Sequence, residues 1–89
     1  MNILYFTADW CVPCGRFFPT LQAIANERNI PLFEHEVSEN PEFARQHQVQ
    51  SVPTVVVLGS NDDVLFHASG VMSKELLDGI FNDLRRDLT

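Results

Sequence analysis

Both cysteines of this 89-residue chain, Cys11 and Cys14, fall three positions apart in the stretch Thr7-Ala8-Asp9-Trp10-Cys11-Val12-Pro13-Cys14-Gly15. An apolar run (Ile3, Leu4, Tyr5, Phe6) leads into that stretch, and a pattern of helical period leads out of it. A strand must therefore pass through a tight turn into a helix, with Cys11 at the helix N-terminus. Free N–H groups and the positive end of the helix dipole stabilise an anion at such a place. A thiolate is such an anion, and it is the species that does sulfur chemistry. Cys14, one turn further on, is near enough to attack Cys11 and close a disulfide. The pair reads as a site of thiol–disulfide exchange.

Three blander readings compete. A structural staple is a poor reason for this spacing, because so short a loop removes little unfolded-state entropy, roughly 2 kcal/mol when the loop-length relation is stretched to four residues. Half of a zinc site would need two more ligands. His35, His47 and His67 are the candidates, but they lie apart in sequence and lack an H-x3–5-H spacing, so no metal is expected. The third reading is an idle pair.

Eighty-nine residues suggest one domain over 1–89, large enough to bury a core without a metal or multiple disulfides. A composition 45% hydrophobic and 20% charged argues against disorder. Six basic residues against twelve acidic give a formal charge of −6, which disfavours nucleic acid and anionic membranes alike. The first residues lack the basic start of a secretion signal, and no run reaches the ~18 apolar residues of a membrane span. Two cysteines without such a signal point to a reducing, cytoplasmic compartment; the sequence says little about oligomeric state, and a monomer is the default.

Along the chain, Asn2 to Thr7 is too continuously apolar to face water on one side and reads as a buried central strand. A helix is expected from about Cys11 to Arg28, with Phe17, Leu21 and Ile24 at helical spacing and Phe18 and Ala25 widening the stripe. Pro19 removes the bond to the Gly15 carbonyl and bends the axis. Leu32 to Val37 reads as a second strand, parallel to the first because a helix crosses between them. Asn40-Pro41 starts a helix that runs to about His47. Thr54 to Leu58 and Val64 to Ser69 read as an antiparallel pair joined through Gly59 to Asp63. Ser73 caps a final helix, with Met72 and Leu77 as a hydrophobic staple and Leu76, Ile80, Phe81 and Leu84 as its core face. The order βαβα-ββα implies an α/β fold with a mixed four-stranded sheet and helices on both faces.

WCVPC resembles the WCGPC signature of thioredoxins. The likeness extends through Pro19, through Ser51-Val52-Pro53-Thr54 before a strand, and through Gly70 before the last helix, so it covers nearly the whole chain. It implies a thioredoxin-like fold in a minimal version, without the extra strand and helix that thioredoxins usually carry in front. On the residues alone Pro53 would be trans, since few X–Pro bonds are cis; the resemblance implies a cis bond in a loop packed against the cysteines. Val52 would then offer its backbone to an extended substrate segment. Gly70 resembles the family's glycine beside this groove, where a side chain would obstruct approach. Pro13 restricts the turn, and Val12 presents an apolar side chain beside the nucleophile. Trp10 either covers the sulfurs and adds contact area or is a plain core tryptophan.

Two departures from the family pattern bear on the chemistry. The buried aspartate that thioredoxins commonly place in the first of these strands is Tyr5 here, and the lysine of the next strand is Glu34. Tyr5 and Glu34 would be neighbours beneath the cysteines. Glu34 is accordingly expected to be buried, held by the Tyr5 hydroxyl, and to accept the proton of Cys14; a solvated Glu34 at a strand edge is the alternative. Gly15 stands where many thioredoxins have lysine, with Arg16 next to it.

The function implied is reduction of protein disulfides, with Cys11 as nucleophile and Cys14 as resolving thiol. No cofactor beyond the redox-active Cys11–Cys14 disulfide is expected. The implied partner is an NADPH-dependent flavoenzyme of the thioredoxin-reductase type. The alternatives are a glutaredoxin-like redoxin recharged by glutathione and a non-enzymatic interaction subunit that keeps the fold.

Overall fold

The strand Asn2–Thr7 (β1) is buried on both faces, and its alternating side chains divide the interior in two. Ile3 and Tyr5 join one apolar cluster, and Leu4 and Phe6 join the other. This two-sided burial is why the segment is a continuous apolar run rather than an alternation. The computed structural model describes residues 1–87, so the last two positions of the expected 1–89 domain lie outside the described residues.

The remaining elements are α1 (Val12–Arg28), β2 (Leu32–Glu36), α2 (Pro41–Gln46), β3 (Thr54–Leu58), β4 (Val64–Ser69) and α3 (Lys74–Asp87). Among the described residues they form a four-stranded sheet of order β2-β1-β3-β4. β2 runs parallel to β1 because α1 crosses between them, while β3 pairs antiparallel with both β1 and β4.

Phe17, Leu21, Ile24 and Ala25 of α1 pack with Leu77 and Phe81 of α3 over Ile3, Tyr5, Val55 and Val57. Arg28 ties these two helices together, its guanidinium 3.2 Å from the Asp78 carboxylate and over the Phe81 ring. On the opposite face, Ala44 of α2 closes over Leu4, Phe6, Val56 and Leu58. The His35 and His47 rings both lie against Phe43, with centroids 4.6 and 4.7 Å away. Burial lowers the pKa of His35, and repulsion from His47 lowers it further.

The element ends differ from expectation in small ways. Cys11 is the N-cap of α1 rather than its first helical residue, β2 stops at Glu36, and His47 caps α2 instead of ending it. Val37 remains attached by its N–H to the Thr7 carbonyl, at 2.9 Å. Asn40 caps α2 by accepting the Phe43 N–H, and Ser73 caps α3 by accepting the Leu76 N–H at 3.1 Å. One core residue was misplaced: Leu76 is 53% exposed, and Leu77 is buried in its stead. The adjacent leucines fit two helical phases, and only packing against α1 selects one.

Candidate functional site

The turn after β1 is closed by the Cys11 N–H, which donates to the Ala8 carbonyl at 3.0 Å. That turn delivers Cys11 to the N-cap of α1, where its extended backbone (φ −93°, ψ 99°) leaves the sulfur facing the first helical turn. The Cys14 N–H donates to Cys11 Sγ at 3.3 Å, one of the N-terminal amides that no helix carbonyl can satisfy. Pro13 in the first turn is tolerated because its missing N–H would have had no helical acceptor. Cys11 and Cys14 are joined as a disulfide, their Cα atoms 5.3 Å apart. Cys11 lies at the edge of the core and Cys14 within it.

Beneath the pair, the buried Tyr5 hydroxyl donates to the Cys14 carbonyl at 2.7 Å. Burial pushes the Tyr5 phenol up to about 12, with a further push from the Glu34 carboxylate. Tyr5 and Glu34 are register partners on β1 and β2, as expected. Two parts of the expectation for Glu34 are corrected: it is exposed at a strand edge rather than buried, and the tyrosine hydroxyl reaches the cysteine helix instead of its carboxylate. β2 is the sheet edge, so its side chains remain open to solvent where those of β1 do not.

A groove of about 430 Å³ opens on this side of the pair, lined by Cys11 and Gly15 together with Asp9, Glu34, Glu36 and Glu39. Ser38 donates a side-chain hydrogen bond to Glu36 and holds that carboxyl below the usual range. A Cβ on Gly15 would meet nothing within 4 Å, so the glycine leaves this wall of the groove low.

A second groove, of about 180 Å³, runs from Trp10 to Val52 over Val37, Ala44 and Val49. Trp10 is 75% exposed, which rules out the core reading, and neither cysteine is in the lining of its groove. Val12 and Pro13 are exposed beside the pair. The Val52–Pro53 bond is cis, Pro53 is buried, and Val52 packs against the cluster that contains both cysteines. Thr54 Oγ1 pins this loop by donating to the Ser51 carbonyl at 2.6 Å and sharing a hydrogen bond with Ser69 Oγ. No backbone hydrogen bond among the described residues uses Val52.

Gly70 donates its N–H to the Pro53 carbonyl with φ at +101°, so its conformation alone asks for glycine. A Cβ there would meet nothing within the chain. The sequence missed the Tyr5–Cys14 bond, which joins residues nine positions apart in different elements, and the histidine cluster around Phe43.

The Thioredoxin family model matches residues 1–82. A thioredoxin-like protein of Synechocystis sp. is 31% identical over 84 residues, covering 92% of this chain and 77% of that protein. A bifunctional thioredoxin reductase/thioredoxin of Mycobacterium leprae is 38% identical over 61 residues, 66% of this chain and 13% of that one. The chain spans 53% of the length of the Mycobacterium bovis thioredoxin. Among solved structures, thioredoxin 1 from Thermosipho africanus superposes over 100% of both chains with a TM-score of 0.86 at 30% identity.

Proposed function

This chain belongs to the thioredoxin family and is a thiol–disulfide oxidoreductase with a thioredoxin-like fold, and within that class we propose that it reduces disulfides in protein substrates. The observation that carries the reading is the Cys14 N–H aimed at Cys11 Sγ at the N-cap of α1. A negative sulfur is better solvated there than a neutral one. Cys11 Sγ attacks one sulfur of the substrate disulfide; a mixed disulfide forms, the substrate S–S bond breaks, and the departing sulfur takes a proton. Cys14 Sγ then attacks Cys11 Sγ, releasing the second substrate sulfur. Two electrons pass to the substrate, and the protein is left as the Cys11–Cys14 disulfide.

The same electrostatics helps both steps, though modestly. Lowering a thiol from ~8.5 to ~7 raises its thiolate fraction at pH 7 roughly fifteen-fold. Its nucleophilicity falls roughly five-fold, leaving a net gain of about three-fold in attack. Cys11 also becomes the better leaving group when Cys14 resolves the mixed disulfide.

In this reading the Trp10–Val52 groove receives apolar substrate side chains, and the Val52 backbone pairs with an extended substrate segment. Val12 and Pro13 border the nucleophile, and Gly70 keeps the approach open. Glu34, at the exposed rim, accepts the proton from Cys14. The protein works as a monomer in a reducing, cytoplasmic compartment, without a bound cofactor. An NADPH-dependent flavoenzyme of the thioredoxin-reductase type recharges it, a partnership supported by the relative whose name joins the two activities. The acidic rim of Asp9, Glu34, Glu36 and Glu39 beside Cys11 disfavours glutathione, an anionic tripeptide, as the reductant.

The test is insulin disulfide reduction with NADPH and a thioredoxin-reductase-type flavoenzyme, run against glutathione with its own reductase. Turnover in the first mixture and little in the second supports the reading. The reverse result would make the protein a glutathione-coupled redoxin. Retention of biological activity by the double variant Cys11→Ser, Cys14→Ser would make it an interaction subunit.

A further inference from the structure

We propose that Tyr5 is a positioning residue for the resolving step, its hydroxyl holding the Cys14 carbonyl so that Cys14 Sγ is presented to the mixed disulfide on Cys11. The inference rests on Cys11–Cys14 exchange chemistry, and it is independent of which substrate or reductant the protein uses.

Cys14 is tied on both sides of its backbone. Its N–H donates to Cys11 Sγ at 3.3 Å, and its carbonyl accepts from Tyr5 at 2.7 Å. The first tie involves the very sulfur that changes partner during turnover. The second does not, and it anchors the residue to the central strand of the sheet. Such an anchor matters here because the helix ladder is interrupted just beyond Cys14. Pro19 has no N–H to give to the Gly15 carbonyl, so the first turn of α1 is less firmly held by the rest of its helix.

Tyr5 itself has little freedom. It is fully buried, its ring contacts Phe17 and Phe18 with centroids 5.9 Å away in each case, and its strand pairs on both sides, with Glu34 and Val55 as register partners. A buried phenol needs a hydrogen-bond partner, and the Cys14 carbonyl is the one it has. Because Tyr5 remains protonated through neutral pH, it stays a donor at every stage of the cycle. The step it supports balances simply. The Cys14–Cys11 S–S bond forms, the Cys11–substrate bond breaks, and the electron pair leaves on the substrate sulfur. The proton lost by Cys14 goes to the Glu34 carboxylate at the rim, and the released substrate sulfur takes its proton from solvent.

Tyr5→Phe removes the hydroxyl and keeps the ring. Reduced protein is mixed with an excess of a peptide disulfide and quenched with acid at intervals. Mass spectrometry then counts the mixed disulfide and the closed Cys11–Cys14 pair. Attack by Cys11 should stay within about two-fold of wild type, while resolution slows by roughly two- to ten-fold, the range set by one net hydrogen bond. Ile24→Val, a mild core variant away from the pair, should leave the ratio of the two rates unchanged. Wild-type resolution in Tyr5→Phe, or an equal slowing of both steps, would overturn the proposal. Wild-type protein that forms neither an adduct on Cys11 nor the closed Cys11–Cys14 pair would instead overturn the exchange reading beneath it. Tyr5 is the only tyrosine, so biosynthetic 3-fluorotyrosine labels this position alone. That protein keeps a donor of altered strength and should differ from wild type in resolution but not in attack; identical resolution rates count against the proposal even where Tyr5→Phe does not fold.

Discussion

Gly70 donates its backbone N–H to the Pro53 carbonyl at 2.8 Å while holding φ at +101°. Any L side chain is strained in that conformation, whatever space surrounds it. Gly70→Ala should therefore cost about 1–2 kcal/mol through the backbone alone, with no clash to relieve. The melting temperature should fall by about 5–10 °C for a domain of this size. An unchanged melting temperature would mean that the loop relaxes freely.

Cys11→Ser should abolish turnover, since no thiolate remains at the N-cap of α1. Cys14→Ser should still attack and should accumulate stable adducts, because the resolving sulfur is gone. Peptide mapping of those adducts checks the assignment. Adducts that form readily on Cys14 in the Cys11→Ser variant would exchange the two roles.

Tyr5 predicts an alkaline limit on stability. Its phenol is raised in the folded state to about 12 from an ordinary value of 10.0. Between these two values the unfolded chain releases a proton that the folded chain keeps. Stability due to this group is thus fully present below pH 10 and is lost as pH rises toward 12, by on the order of 1–2 kcal/mol. Urea midpoints across that range should decline in wild type and decline less in Tyr5→Phe.

Trp10→Ala and Phe17→Ala should separate function from stability. Trp10 is 75% exposed at the rim of a groove, so its loss should leave stability within about 0.5 kcal/mol while raising KM for protein disulfides several-fold. Phe17 is buried against Tyr5, and its truncation should cost about 3–5 kcal/mol. Denaturant titration and a KM measurement on each variant decide the matter; a normal KM for Trp10→Ala would remove the tryptophan from substrate binding.

Glu34→Gln tests the rim carboxylate. Release of reduced substrate should slow more than formation of the mixed disulfide, and by less than about ten-fold, because the group is exposed and solvent competes with it. Loss of its charge should also let Tyr5 ionise at lower pH, since Glu34 contributes to raising the phenol. Single-turnover kinetics between pH 6 and 9 and the phenolate absorbance of the only tyrosine read the two effects separately.

The elements that the sequence displayed best are those with a single source of order. β1 and β3 have continuous apolar centres, Ile3 to Phe6 and Val55 to Leu58, because both of their faces are buried, and Asn40-Pro41 and Ser73 carry their cap chemistry in their own side chains. The cysteine turn was legible for the same reason, since spacing and flanking pattern place Cys11 at a helix start. What stayed hidden depends on packing between elements. Leu76 and Leu77 fit the helical period equally well until α1 chooses between them. The Tyr5–Glu34 register was readable, but the direction taken by the hydroxyl was not, because the acceptor at Cys14 arrives from another element. Glu34 was expected inside on the strength of that register, and the edge position of β2 leaves it outside.

The exposed Trp10 and the buried Tyr5 are the chain's only tryptophan and only tyrosine. The protein thereby carries two built-in optical probes in different surroundings. Tryptophan emission reports on the outer groove, whereas the phenolate absorbance that develops at alkaline pH reports on the floor beneath Cys14. A stopped-flow trace of the tryptophan emission can time substrate arrival, with no label added.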